Sequence, residues 1–308
     1  MPRKLYKYLG PGCLDKVLAA PDHVTLRCSY PKDFTDPYEL FLTVDEQPDV
    51  LAFYQEVIGK MPQFPVTCFS RSPVIIPMWA HYAQNLEGVV IEIDEDILAE
   101  EVPKSGFGDI EYRDEPDPIV KDTLLMAHRI GKFRYFYFLM KRVVSAAYYT
   151  KASYWSHELE RRLITRDSEV RREGDLMLLD VPGRSVTALV SGARASEGTK
   201  RAVSRYAEEV GCRCLEMRIG RTSATPYFVD GAGKPHSCGD QGITLCERHC
   251  EECNEPMASD GELCSWCRIE ESDREAAASC NSFRVLAAFD LLKPYIEIME
   301  GSSRRTEK

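Results

Sequence analysis

Cys250-Glu-Glu-Cys253 and, ten residues on, Cys264-Ser-Trp-Cys267 constrain this chain more than any other feature of it. Two Cys-x-x-Cys knuckles at this spacing place four thiolates tetrahedrally about a zinc ion. The run between them is too polar to bury free thiols as core, and exposed reactive thiols are poorly tolerated. The four cysteines therefore predict a small zinc-ribbon-like module with Zn²⁺ as a structural ion, iron being the other metal that takes this geometry. His236, Cys238, Cys246 and His249 offer a second ligand set of less regular spacing. The twelve cysteines occur in a chain whose start, Met-Pro-Arg-Lys-Leu-Tyr, lacks the apolar core of a signal peptide. Reduced thiols and metal are expected rather than disulfides, in a cytoplasmic protein. No apolar run approaches the roughly 20 residues that span a bilayer, so no membrane partner is expected.

The module divides the chain. Residues 246–275 hold ten acidic residues against Arg248, Arg268 and Arg274, which suits a structural staple or a protein-docking surface better than a phosphate-binding finger. With 308 residues, 44% hydrophobic and 29% charged, the rest is long enough for a sizeable packed core. The predicted organisation is a core domain over 1–230, the Cys-rich module over 231–275, one amphipathic helix over 276–300 and a disordered tail over 301–308. A net charge of −10 argues against general nucleic-acid affinity unless basic groups are segregated.

Periodicity within the core domain alternates strands with helices, predicting an α+β fold: a mixed or antiparallel sheet with flanking helices. Strands are predicted at 5–9, 23–30, 64–70, 88–94, 184–190 and 212–219. Helices are predicted at 14–20, 49–60, 77–84 and 196–210, the last with Ser196 as N-cap and Gly211 as its stop. Residues 118–149 read as two helices meeting near Gly131. Within them Arg129, Lys132, Arg134, Lys141 and Arg142 interleave with Phe133, Tyr135, Phe136, Tyr137 and Phe138. That mixture suits a groove for an anionic ligand with rings for stacking. An amphipathic helix with buried rings and a wet basic face gives the same pattern, and is the commoner case.

Chemistry concentrates in Lys151–Ile164. As a strand, Glu158, Glu160 and Arg162 would share one face and leave Trp155, Leu159 and Leu163 on the other. As a helix, which local propensity favours, Glu158 would pair with Arg162 and Glu160 would turn away. On the strand reading two crowded carboxylates raise the pKa of one of them, and a neighbouring cation lowers it again. Such a pair can hold a developing positive charge and activate a nucleophile.

Leu5-Tyr-Lys-Tyr8, Ser29-Tyr-Pro31, Phe34-Thr-Asp-Pro-Tyr-Glu39, Val66-Thr-Cys-Phe-Ser70, Met78-Trp-Ala-His-Tyr-Ala83, Gly88-Val-Val-Ile-Glu92 and Trp155-x-x-Glu158-x-Glu160-x-Arg162 together resemble a bacterial family known only as domain of unknown function 2971. Thr35 and Tyr38 stand where that family usually has Asn and Phe. The resemblance covers roughly residues 4–229 and carries no activity. The order of elements is similar to that of mono-ADP-ribosyltransferases, which implies a split sheet and NAD⁺ as substrate. It implies that Lys7 or Tyr8 sits in the first-strand NAD position, with Tyr6 beside it in the cofactor site, and Ser70 in the strand-end position. Tyr82 would stack on nicotinamide, with His81 and Trp79 beside it, and Ser29, Asp36, Glu39 and Arg162 would complete the cofactor site. Glu160 would be the catalytic carboxylate, with Glu158 orienting or deprotonating a protein or nucleic-acid acceptor. A defence or toxin role would suit that chemistry. The chain departs from the transferases in lacking their first-strand Arg or His.

Two other functions fit the same residues. Asp36, Glu39, Glu158 and Glu160 could hold Mg²⁺ in a nuclease, with His81 or Lys151 handling protons. A zinc-containing binding protein without chemistry is the third. Each residue also has a structural reading: His81, Trp79 and Trp155 as packing groups, Asp36 and Glu39 as caps, Ser70 as a hydroxyl bonded to backbone.

Overall fold

Residues 3–303, apart from 21, 35, 37–42 and 259, are described by the computed structural model. They fall into two units, Met1–Cys246 and Glu247–Lys308. The first unit begins with strand β1 (Lys4–Leu9), helix α1 (Leu14–Val17) and strand β2 (His23–Cys28). Helix α2 (Pro48–Gly59), β3 (Val66–Ser70), α3 (Ile76–Tyr82), β4 (Val89–Asp94) and α4 (Glu95–Glu101) follow. Short strands β5 (Gly106–Asp109) and β6 (Glu111–Arg113) precede a helical hairpin, α5 (Pro118–Ile130) and α6 (Phe133–Tyr149). Next come β7 (Thr150–Ala152), β8 (Glu160–Ile164), β9 (Arg171–Glu173), β10 (Leu176–Pro182) and β11 (Val186–Ser191). Helix α7 (Glu197–Val210) leads to β12 (Arg213–Arg218), β13 (Tyr227–Asp230), β14 (Pro235–Gly239) and β15 (Gly242–Leu245). The second unit holds the cysteine segment, then α8 (Glu271–Cys280), α9 (Ser282–Ala288) and α10 (Leu292–Ser303).

The fold is mixed α+β. Ten strands form one sheet in the order β15-β14-β13-β12-β11-β4-β1-β3-β8-β5. All of its neighbours run antiparallel except β11 and β12, which α7 connects. Strand β1 pairs with β4 along its full length, Lys4–Leu9 against Val89–Asp94, but meets β3 only at Tyr6↔Ser70. The sheet is split at that point. A smaller sheet, β2-β10-β9, meets it through the isolated Ser29↔Val66 bridge, and β6 pairs with β7.

Alternation along β4 decides the packing. Val89, Ile91 and Ile93 join Leu26, Leu179, Val181 and Val203 in one core, while Val90 joins Trp79, Tyr8 and Val190 in another. A third core binds α2 to the α5–α6 hairpin through Tyr54, Val57, Leu124, Leu139 and Val143. Glu92 is fully buried on β4, and a buried carboxylate must be paired. Arg213 Nη2 (2.7 Å), Thr187 Oγ1 (2.6 Å), Tyr6 OH (3.1 Å) and the Ile243 N–H (3.3 Å) donate to it. The turn from α3 into β4 runs through Gln84, Asn85 and Leu86 at φ 47°, 54° and 68°. It closes on Gly88 and Gly192, where a Cβ would stand 2.0 Å from the Leu9 carbonyl oxygen and 2.1 Å from that of Leu86.

Several expectations change. Residues 231–245, assigned from composition to the Cys-rich module, hold β14, which pairs with β13, and β15, which pairs with β14. Their polar composition belongs to hairpin turns at the edge of the main sheet. The single helix expected over 276–300 is three helices, with α8 ending at Cys280 and a break between α9 and α10 where Asp290 takes φ 57°. Its anticipated apolar face is not covered, Phe289 being 71% exposed and Val285 43%. Helix α10 continues to Ser303, into the expected disordered tail, and residues 304–308 lie outside the described residues. Among the described residues no helix is long and apolar enough to cross a membrane.

Candidate active site and metal centre

Where the sheet splits, a cavity of about 180 Å³ opens between the two halves. Strand β1 contributes Tyr6, Lys7 and Tyr8, β3 contributes Cys68 and the strand-end Ser70, and α3 contributes Met78 and Tyr82. Helix α6 runs into β7 and so delivers Thr150 and Lys151. Glu160 and Arg162 come from β8, and Phe34 and Asp36 from the loop after β2.

Neither sequence reading of residues 151–164 describes the backbone. Ser153–Glu158 is a 3₁₀ helix, and β8 begins only at Glu160. Leu159 between them is left-handed at φ 46°, and that reversal turns both glutamates into the same cavity. Leu159 itself is 46% exposed.

The acids are tightly held. Glu160 is buried; Arg162 Nε donates to its Oε1 at 2.7 Å and Lys151 Nζ to its Oε2 at 3.2 Å. Burial pushes the Glu160 carboxyl up, but the charges of Arg162 and Lys151 outweigh it and hold the group down at about 2. Of the two effects expected of crowded carboxylates beside a cation, the lowering by the cation is the one that Glu160 shows. Lys151 Nζ also donates to Glu158 Oε2 at 2.5 Å, so one ammonium bridges the pair. Burial acts to lower the Lys151 pKa, and the two carboxylates reverse the shift and raise it. Tyr82 OH donates to Glu158 Oε1 at 2.7 Å, while its ring remains 41% exposed. Burial, then the Glu158 charge, pushes that phenol well above its ordinary range. Ser70 Oγ donates to the Glu158 carbonyl oxygen at 2.7 Å, and Tyr112 OH accepts from the Glu160 N–H at 2.7 Å. Lys7 Nζ donates to the Cys68 carbonyl and to Thr67 Oγ1, and burial lowers its pKa.

Nine anticipated residues thus share one cavity: Tyr6, Lys7, Tyr8, Asp36, Ser70, Tyr82, Glu158, Glu160 and Arg162. Three do not. Trp79 is fully buried and its indole N–H donates to the Pro73 carbonyl, which makes it core. His81 is exposed on α3, one residue round the helix from Tyr82 and outside the lining. Ser29 is taken up in a backbone bridge to Val66. Glu39 lies outside the described residues. Lys151 was anticipated only as a proton carrier of a nuclease, and Thr150, Phe34, Cys68 and Met78 not at all. No spacing rule connects residues on separate strands and loops.

A carboxylate held ionised near pKa 2 is a poor proton acceptor at neutral pH. It is well suited to stabilise positive charge that develops beside it, in a site where its orientation is already fixed.

In the second unit the sulfurs of Cys250, Cys253, Cys264 and Cys267 all lie within 4.8 Å of one another. A tetrahedral zinc site with bonds of about 2.3 Å has sulfur–sulfur edges of about 3.8 Å. The Cys253 and Cys264 sulfurs are 3.8 Å apart, and the Cys267 N–H points at Cys264 Sγ. The four can hold a metal such as zinc. His236, Cys238, Cys246 and His249 form no such group among the described residues. His236 and Cys238 belong to β14, where the strand pairing fixes them in the main sheet.

Residues 78–163 match the model of a family described as a protein of unknown function (DUF2971), the family that the sequence motifs resemble. The matched segment contains Tyr82, Lys151, Glu158, Glu160 and Arg162. No curated protein and no solved structure matches the chain.

Proposed function

We propose that the domain to which this family match belongs is an NAD-consuming transferase of the mono-ADP-ribosyltransferase type, and that the four cysteines of the second unit hold a structural Zn²⁺. One observation carries the reading: Ser70, Tyr82, Glu158 and Glu160 converge on one cavity beside the β1 residues, with Glu160 held ionised. At about 180 Å³ the cavity is smaller than the roughly 300–1,000 Å³ that encloses a whole drug-sized ligand. It takes one end of the dinucleotide, nicotinamide and its ribose, with the exposed face of Tyr82 stacked on the nicotinamide ring.

In this reading the bond between ribose C1′ and the nicotinamide nitrogen breaks, and its electron pair leaves with nicotinamide. Glu160 stabilises the oxocarbenium-like ribose, as carboxylates do in glycosyl transfer. A lone pair of the acceptor's oxygen or nitrogen forms the new bond to C1′, and Glu158 receives the acceptor's proton. Lys151 must give way for this, because its ammonium lies between the two carboxylates that the sugar cation would face.

The nuclease reading loses support from the same geometry. A Mg²⁺ site needs several carboxylate oxygens free to coordinate. Here Arg162, Lys151 and Tyr82 already engage both glutamates, and Asp36 does not gather with them into a ligand group among the described residues.

The test is incubation of the purified chain, with a cell extract as the source of acceptor, and NAD labelled in its adenylate half. Nicotinamide release and label in macromolecules are both followed. The native chain is expected to give both, and Glu160→Gln neither. Because loss of a buried ion-pair partner can unfold a protein, Tyr82→Ala serves as the second variant. It removes a half-exposed ring whose hydroxyl donates to Glu158, and is expected to weaken NAD binding while circular dichroism shows the chain still folded. A native chain that neither binds NAD nor releases nicotinamide overturns the proposal.

A further inference from the structure

The α5–α6 hairpin carries a surface that the cavity chemistry does not use. Between Asp122 and Glu158 the chain has no acidic residue, although the whole sequence holds 49 acids against 39 Lys and Arg. Arg129, Lys132, Arg134, Lys141 and Arg142 are all exposed on the hairpin. None of the five has a carboxylate partner among the described residues. The charge segregation that a net-acidic protein needs in order to meet a polyanion is therefore present in one place.

The same surface displays rings that an ordinary amphipathic helix would hide. Phe133 is 80% exposed, Phe138 53% and Tyr137 47%. Lys141 Nζ stands 5.2 Å from the centre of the Tyr137 ring, and the Arg134 guanidinium 4.7 Å from that of Tyr135. Two open grooves, of about 530 and 440 Å³, run along α6 and share Lys141 and Ser145. Phe133, Phe136, Tyr137 and Met140 line the larger.

Unpaired cations suit phosphates, and flat exposed rings suit bases that have no partner to stack on. Single strands supply both together. An acidic polypeptide would satisfy the cations and leave the rings uncovered, and a duplex keeps its base faces stacked inside. We propose that the α5–α6 face binds a single-stranded nucleic acid. Helix α6 has 17 residues, a platform about 25 Å long. Its C-terminal end passes directly into Lys151, so a strand lying along it ends near the cavity. The binding itself does not depend on the transfer chemistry proposed above.

The experiment is anisotropy of a labelled single-stranded oligonucleotide of about 15 nucleotides, as DNA and as RNA, titrated with the full chain. Binding of at least one strand is expected, weakening as salt rises. The Phe133→Ala/Tyr137→Ala double variant is expected to lose about 5- to 150-fold in affinity while keeping the native melting temperature, since both rings are exposed. Lys141→Glu/Arg142→Glu is expected to weaken binding and flatten its salt dependence. Absence of binding to both strands overturns the proposal. So does undiminished binding by the ring variant, or equally tight binding of polyglutamate or of the corresponding duplex.

Discussion

Lys151 is the residue on which the cavity's electrostatics turn. Its ammonium lies 2.5 Å from Glu158 Oε2 and 3.2 Å from Glu160 Oε2, and is only 12% exposed. Two buried carboxylates this close repel each other unless a cation intervenes. Arg162 pairs with Glu160 and with the Ala147 and Tyr148 carbonyls, whereas Lys151 touches both acids. Glu160 titrates in the folded protein near 2, below its ordinary 4.5. A depressed pKa contributes stability that is fully present above the ordinary value and is lost as pH falls through the folded one. Replacing Lys151 by Met removes part of that depression. The acid limb of unfolding in Lys151→Met is therefore expected to begin at higher pH than in the native chain, the stability difference being greatest above 4.5 and closing as pH falls toward 2. Circular dichroism over an acid titration checks it, and coincident acid limbs would remove Lys151 from the electrostatic account.

At the scale of single elements, the decisive feature is the join between the 3₁₀ helix and β8. Leu159 adopts a left-handed backbone, a conformation that costs a branched side chain about 1–2 kcal/mol. Leu159→Asn, whose short polar side chain tolerates that region, is expected to leave stability unchanged or raise it by up to about 1 kcal/mol. Leu159→Val is expected to lower it by about 1–2 kcal/mol and to impair whatever activity needs both glutamates. Thermal denaturation of the two variants separates them, and an identical loss in both would mean the side chain matters more than the backbone.

The same join shows where sequence reading stops. Helix α7 was legible because its ends are written locally: Ser196 Oγ accepts the Thr199 N–H, and Gly211 takes φ 77° at the stop. Strand β4 was legible from Val89, Val90, Ile91 and Ile93, although Glu92 interrupts the run. The convergence of Ser70, Tyr82 and Glu160 came from motif resemblance and not from periodicity. The route by which Glu158 joins Glu160 was illegible, since nothing in leucine's propensity announces a positive φ. Lys151 and Phe34 reach the cavity from a helix end and a loop, and only the folded chain brings those together. Strand β9 was missed because Arg171, Arg172 and Glu173 are polar and face water, whereas β10 carries a period-two signal in its buried Met177, Leu179 and Val181.

For the molecule as a whole, the two units rest on different physics. Met1–Cys246 is held by three apolar cores, whereas Glu247–Arg268 has little to bury beyond Cys250 and Cys264. Where thiolates hold a metal, ligation energy becomes folding energy for the segment that supplies them. A strong chelator is expected to release one metal ion per chain and to raise hydrogen exchange throughout 247–268. The melting transition of Met1–Cys246 is expected to stay in place. Cooperative loss of both transitions would show that the first unit depends on the metal as well.

The solitary Tyr6↔Ser70 rung between β1 and β3 bears on how anything enters. Elsewhere in this sheet, prising neighbouring strands apart would cost a whole ladder of backbone bonds, each worth about 1 kcal/mol. Here the backbone pairing is a single rung, supplemented by the Lys7 and Tyr8 side chains reaching backbone carbonyls of Cys68 and Ser72, and the pocket sits directly over it. Widening this seam breaks fewer backbone bonds than parting fully paired neighbours, so a guest bulkier than the cavity is expected to enter there.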